Sequence, residues 1–290
     1  MRCLLVLAVL LGCSGCVSAV SPEDWVRFMD AARADGRMRP DRDPADAPVT
    51  ARTLTESFQR VAFSFEDAPF GFNRPEANER LYMIRKWTKP IVYRIDGPPE
   101  LRARVDSRVD SFMQKLSGIT GHRLIRYEAD QDPTGQGPES NLGILYGDED
   151  YFLYLARGLI NAGPPVRNLL HRWRTAFSPC GGSVRRDAGA DGQSETGEIL
   201  SAIIVIRHEL PEDLLESCIE EELAQSMGLF NDDEQVRPSM FNDDQEFALL
   251  TRHDELLLRI LYDPRLRAGM PMVEAMPVVR EIAAELAPAS

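Results

Sequence analysis

The chain has 290 residues, 43% of them hydrophobic and 27% charged, proportions of an ordinary globular protein. That length can bury one substantial core or two small ones. The net charge of -13 excludes nucleic acid as a partner, because a phosphate backbone needs a basic face.

The N-terminus comes first. Arg2 supplies a minimal positive region and residues 3–11 are apolar. The run is too short to span a bilayer and reads as a signal peptide. Leu10-Leu11-Gly12-Cys13 resembles a bacterial lipobox, in which the cysteine is lipidated and becomes the first mature residue. Cys16 is a second candidate, and a plain secretory signal is the alternative to both. The expectation is an exported protein of the cell envelope, held to the membrane by a lipid and facing the periplasm or exterior. Residues 1–16 are then the leader, 17–79 an N-terminal segment of helices and linker, and 80–290 the main domain.

Ser21-Pro22-Glu23-Asp24 reads as an N-cap, a proline at N1 and an acidic first turn. A short amphipathic helix follows to about residue 32. Residues 34–50 are rich in Asp, Pro, Arg and Ala and read as a linker. A second helix is predicted over 54–63.

Residues 90–95 form a predicted strand, stopped by Gly97-Pro98. Leu101, Val105, Val109, Phe112, Met113 and Leu116 then recur at helical spacing and predict a long helix. Strands are predicted at 122–127 and 141–146, and short helices at 151–160 and 166–177. The stretch 180–198 is rich in Gly, Asp and Ser and reads as a long loop or loose hairpin. Residues 199–206 are apolar and β-branched, as expected of a strand buried on both faces. Pro211 opens the next helix. The C-terminal third is helical, with Thr251 and Asp254 as a capping-box-like start.

Without the leader two cysteines remain, Cys180 and Cys218. In an exported chain they are expected to form a disulfide, stabilising the fold by roughly 4 kcal/mol on the chain-entropy model. Two buried thiols are the alternative.

The helix after Pro211 carries Glu221-Glu222-Leu223-Ala224-Gln225-Ser226-Met227-Gly228. A zinc-peptidase helix needs H-E-x-x-H, two imidazoles at i and i+4 with a glutamate beside the first. Glu221 and Gln225 stand at the imidazole positions and Glu222 at that of the general base. At about 100° per residue, Glu222 falls roughly 20° from Leu215, in the middle of the apolar face. A carboxylate there is costly unless paired. Glu222 reads either as the acid of a cleft, with a role in acid/base chemistry, or as a core glutamate paired with an arginine. Glu221 and Gln225 lie together on one edge of that face, and Glu220 reads as solvated.

One carboxylate and one neutral amide make a weak, oxygen-only beginning of a metal site. Asn231-Asp232-Asp233 and Asn242-Asp243-Asp244 lie downstream, but such runs are more often turns. His122, His171, His208 and His253 contain no i, i+4 pair. No bound metal and no cofactor are expected, and neither a G-x-S-x-G elbow nor a P-loop is present.

The element order, with a motif helix, a glycine turn and then Pro238-Ser239-Met240, resembles the zincin metallopeptidases, especially the metzincins. Their H-E-x-x-H-x-x-G-x-x-H/D pattern falls on Glu221, Glu222, Gln225, Gly228 and Asn231, and their methionine turn on Pro238-Ser239-Met240. The glutamate, glycine and methionine match, while all three metal ligands are replaced. Over residues 80–275 the chain also resembles a family of uncharacterised bacterial lipoproteins and secreted proteins. The marks are an E-E-x-x-Q-x-x-G-L-x-N-D helix, Phe241-Asn242-Asp243-Asp244, and the segment that starts at Leu250-Thr251-Arg252-His253-Asp254.

The resemblance implies an α+β fold: a small twisted mixed sheet, a long backing helix, the motif helix and a helical C-terminal part. It also implies a zincin-like domain without its zinc ligands that binds a peptide or an envelope component, with Glu221, Gln225, Asn231 and Asp232 as binding residues. The alternative is a peptidase or glycan-acting hydrolase with a non-standard site centred on Glu222.

Overall fold

The computed structural model describes residues 21–63, 82–127, 139–148, 151–152, 178–192 and 195–287. The leader with Cys13 and Cys16, His171, and nearly all of the helices expected at 151–160 and 166–177 lie outside these residues. Among the described residues, no helix is long and apolar enough to cross a membrane.

The fold is α+β. Helices α1 (Pro22–Ala34) and α2 (Ala51–Phe63) precede strand β1 (Ile91–Asp96), the long helix α3 (Arg102–Thr120), β2 (Leu124–Arg126) and β3 (Leu142–Gly147). The hairpin β4 (Cys180–Arg186) and β5 (Ile199–Arg207) leads into α4 (Glu212–Gln225), then α5 (Arg252–Tyr262) and α6 (Met272–Leu286). The five strands form one sheet in the order β2-β1-β3-β5-β4. Four run parallel, and β4 alone is antiparallel, on the edge beside β5.

The helical spacing read from α3 is realised. Val105, Val109, Phe112, Met113 and Leu116 are all buried, and they face a core shared with Ile91, Tyr93, Leu142, Ile144, Ile204 and Ile206 of the sheet. Gly121 ends α3 at a φ of 68°, a left-handed conformation that glycine adopts without a Cβ penalty. At α1 the Ser21 hydroxyl accepts from the Asp24 amide and the Asp24 carboxylate accepts from the Ser21 amide, a complete capping box. The same reciprocal pair joins Thr251 and Asp254 at the start of α5.

Two stretches are more ordered than their sequence reading. Of the loop and hairpin alternatives for 180–198 the hairpin is realised, with residues 180–186 a paired strand. Gly181, Gly182 and Ser183 carry little strand propensity, and pairing with the strongly β-branched β5 overrides it. The stretch 34–50, read as a linker, is laid along the C-terminal part. The Met38 and Arg39 amides donate to the Gln245 and Glu246 carbonyls, and the Ala248 amide donates back to Arg39. Met38 and Ala47 are buried there, and α1 and α2 belong to the same hydrophobic core as the sheet.

Candidate functional site

Helix α4 is buried nearly all round: Leu214, Leu215, Ser217, Cys218, Ile219, Glu220, Glu222, Leu223 and Ala224 are all buried. One side of it packs under β4. The expected disulfide is present, joining Cys180 of β4 to Cys218 of α4 with a Cα–Cα separation of 5.8 Å.

From this bond a register follows. Two residues along a strand advance about 6.7 Å and keep the same face; four residues along a helix advance about 6 Å and nearly the same face. Gly182 and Glu222 therefore form the next rung after Cys180 and Cys218. The contact is tight, for a Cβ on Gly182 would stand 2.8 Å from Glu222 Oε2. The Glu222 side chain lies beneath the backbone of the edge strand, with the residue only 9% exposed.

The phase of the β4–β5 ladder is set by the Arg207 amide, which donates to the Pro179 carbonyl at 3.1 Å. Antiparallel residues alternate between facing their partner's backbone and turning away from it. In the observed register, Gly181, Ser183 and Arg185 bond to β5, while Cys180, Gly182 and Val184 turn their backbone groups to the outer edge. Among the described residues no strand lies beyond β4.

The exit of α4 explains the residues that follow Glu222. Gly228 has a φ of 127°, and a Cβ there would meet the Arg85 carbonyl oxygen at 2.2 Å, so only glycine fits. The Trp87 indole donates to the Ser226 carbonyl at 2.8 Å, and the Tyr262 hydroxyl donates to the Met227 carbonyl at 2.9 Å. Burial pushes the Tyr262 phenol well above its ordinary range, so it stays a neutral donor.

The sequence-derived site residues then fall into place. Gln225 Nε2 donates to Asp232 Oδ1 at 2.8 Å. Asn231 is 5% exposed; its Nδ2 donates to the Arg60 carbonyl at 3.3 Å and to the Asp232 carbonyl at 2.9 Å. The Asn231 amide N–H donates to the Val61 carbonyl at 3.3 Å. Arg60 and Val61 belong to the last turn of α2, whose carbonyls have no partner within the helix, so Asn231 caps α2. Glu221, Glu222 and Asp232 each make further interactions, so none is a free charge. Asn242, at 5% exposure, closes a turn by donating to the Glu234 and Val236 carbonyls. Among the described residues no three His, Cys, Asp or Glu side chains converge as a metal site.

Glu220, read as solvated, is buried at 2% exposure. Its carboxylate takes both Arg42 guanidinium nitrogens at 2.8 and 2.6 Å, and accepts from the Leu250 amide at 2.7 Å. It does point away from the face centred on Leu215, but residues 36–50 and 248–252 cover that side. The Glu220 hydrogen bonds hold the Arg42 guanidinium above its ordinary range. Burial, followed by repulsion from Glu220, pushes the Glu216 carboxyl up.

The Pro238-Ser239-Met240 turn is held by Asp254, a fully buried carboxylate that sequence reasoning saw only as a helix cap. The Ser239 hydroxyl donates to Oδ1 at 2.5 Å, and the Met240 and Thr251 amides donate to Oδ2 at 3.0 and 2.9 Å. The Thr251 hydroxyl donates to Oδ2 at 2.8 Å. The neighbouring His253 ring is also fully buried, and both its nitrogens lack a hydrogen-bond partner among the described residues.

Residues 51–281 match the family model described as a protein of unknown function, DUF2927. The match runs from the first residue of α2 to within α6 and contains β4, the motif helix and the turns that follow it, but not Arg42. No curated protein and no solved structure matches the chain. The chain belongs to the DUF2927 family.

Proposed function

We propose that this chain is an exported, lipid-anchored envelope protein whose zincin-like domain works by binding, taking an extended peptide or a segment of an envelope component along strand β4. The observation that carries the reading is the edge strand itself. Among the described residues β4 is the one antiparallel strand of the sheet, it lies over the motif helix at Glu222, and Gly182 and Val184 turn their backbone groups outward. A partner strand added there gains main-chain hydrogen bonds, with its alternate side chains available for specificity. The likeness to zincins rests on element order and motif frame, which is analogy at the level of fold.

The residues at the zinc-ligand positions do not fit zinc. Glu221, Gln225 and Asn231 offer a carboxylate and two neutral amides, whereas zinc takes imidazole and thiolate first. The Asn231 amide is occupied in capping α2, and the Gln225 amide donates to Asp232.

Substitution of Val184 by proline tests the binding reading. It removes an outward amide and leaves the inward ladder of Gly181 and Ser183 in place, as edge strands tolerate. Capture of extended peptides from a random peptide library is expected to be lost while the circular dichroism spectrum is kept. Undiminished capture would reject the reading.

One observation favours a second reading, a hydrolase in which Glu222 is the acid/base: its carboxylate is buried beneath the edge strand, away from bulk water. In that case Glu222→Gln abolishes a peptidase or glycan-cleaving activity and leaves the melting temperature nearly unchanged. Loss of stability with no activity to lose counts against it.

A further inference from the structure

The cleft between β4 and α4 is closed in this structure. Gly182 lies so close over Glu222 that even one added carbon would stand 2.8 Å from Oε2. A ligand that reaches Glu222 therefore requires β4 to move. What holds β4 down is uneven. Its ladder with β5 fixes one edge. On the face toward α4 it presents Cys180, Gly182 and Val184, of which Gly182 has no side chain to pack. Val184 packs partly against the core, and the covalent tie to α4 is the Cys180–Cys218 bond, one rung away from Glu222.

We infer that the Cys180–Cys218 disulfide is a redox latch on the Glu222 cleft: oxidised, it clamps the edge strand over Glu222; reduced, it lets β4 lift and exposes the carboxylate. The inference rests on the reading of Glu222 as the functional group beneath β4 and gives that site its regulation. Its test contains no ligand, so it stands or fails separately.

The two sulfurs differ in a way that gives the reaction a direction. Cys218 is 1% exposed, whereas Cys180 is only partly buried. A thiolate of a small dithiol, or of a dithiol exchange protein, attacks Cys180 Sγ. The Sγ–Sγ bond breaks, and Cys218 departs as a thiolate and takes up a proton. The second thiol of the reductant then displaces Cys180, which is protonated in turn, and the reductant leaves as a disulfide. Two electrons pass from the dithiol to the cystine, and no other co-reactant is needed.

The test uses the whole chain, oxidised and after dithiothreitol, with hydrogen exchange read on residues 180–186 and 142–147 and carbodiimide labelling read on Glu222. Reduction is expected to speed exchange in β4 by at least about tenfold, to leave β3 unchanged, and to raise Glu222 labelling several-fold. Re-oxidation is expected to reverse all three readings, and the Cys180→Ser/Cys218→Ser variant to behave as the reduced protein. Equal protection of β4 and Glu222 in both redox states overturns the inference. So does loosening of β3 in step with β4, which would make the bond a staple of the whole fold.

Discussion

Gly182 and Glu222 are in contact across the strand–helix interface, with no room for a methyl group between the strand backbone and Glu222 Oε2. The absent side chain at 182 and the carboxylate at 222 are two halves of one feature. Gly182→Ala is expected to cost about 1–3 kcal/mol, the range for overpacking. In the Glu222→Ala background the same change should cost much less, since the colliding oxygen is gone. A double-mutant cycle by urea denaturation measures this, and a coupling near zero would separate the two residues.

Glu220 anchors residues 36–50 to the motif helix through Arg42. Arg42→Ala leaves a buried carboxylate with the Leu250 amide but no cation. The guanidinium side is part exposed, at 41%, so the expected cost is about 2–3 kcal/mol rather than the full value of a buried pair. Chemical denaturation checks it, and a loss under about 0.5 kcal/mol would place this pair with ordinary surface ion pairs.

Asp254 and His253 are adjacent, fully buried and opposite in expectation. Asp254 accepts four hydrogen bonds from Ser239, Met240 and Thr251, so Asp254→Ala is expected to cost about 3–5 kcal/mol by leaving those donors unpaired. His253→Leu removes two ring nitrogens that have no hydrogen-bond partner among the described residues and is expected to be neutral or to raise the melting temperature. Loss of stability at His253 comparable to that at Asp254 would show that its ring holds a partner.

Much of the frame was legible from residue order. The α3 stripe, the β-branched run of β5 and both capping boxes are local patterns whose physics acts within one element. What stayed hidden depends on what lies opposite. Glu220 points away from the apolar face, and nothing in its own helix shows that Arg42, 178 residues earlier, covers that side. Asn231 stands at a ligand position of the motif frame, and nothing in the frame shows that its amide serves the last turn of α2. Gly182 did carry a usable signal. A glycine two residues after a half-cystine on a strand marks a place where something approaches closely on the same face.

Lys86 supplies a pH dependence. Burial lowers its pKa from 10.5 to about 8, while its ammonium donates to the carbonyls of Leu261, in the last turn of α5, and Leu266, in the turn that follows. Between those two values the unfolded chain holds a proton that the folded chain lacks, so this group makes stability rise with pH across that window. Below about 8 its desolvation cost is fully present. Thermal melts of the parent and Lys86→Met from pH 7 to 11 isolate the effect. The parent is expected to gain on the variant as pH rises from about 8 to 10.5, and a constant difference would contradict it.

The proposed function reads the motif helix as a metallopeptidase frame without the nitrogen ligands that zinc requires. Elemental analysis of the soluble chain, purified without chelator, reads this directly. The expected zinc content is far below one atom per chain. Zinc close to one atom per chain, retained through dialysis, would contradict the account.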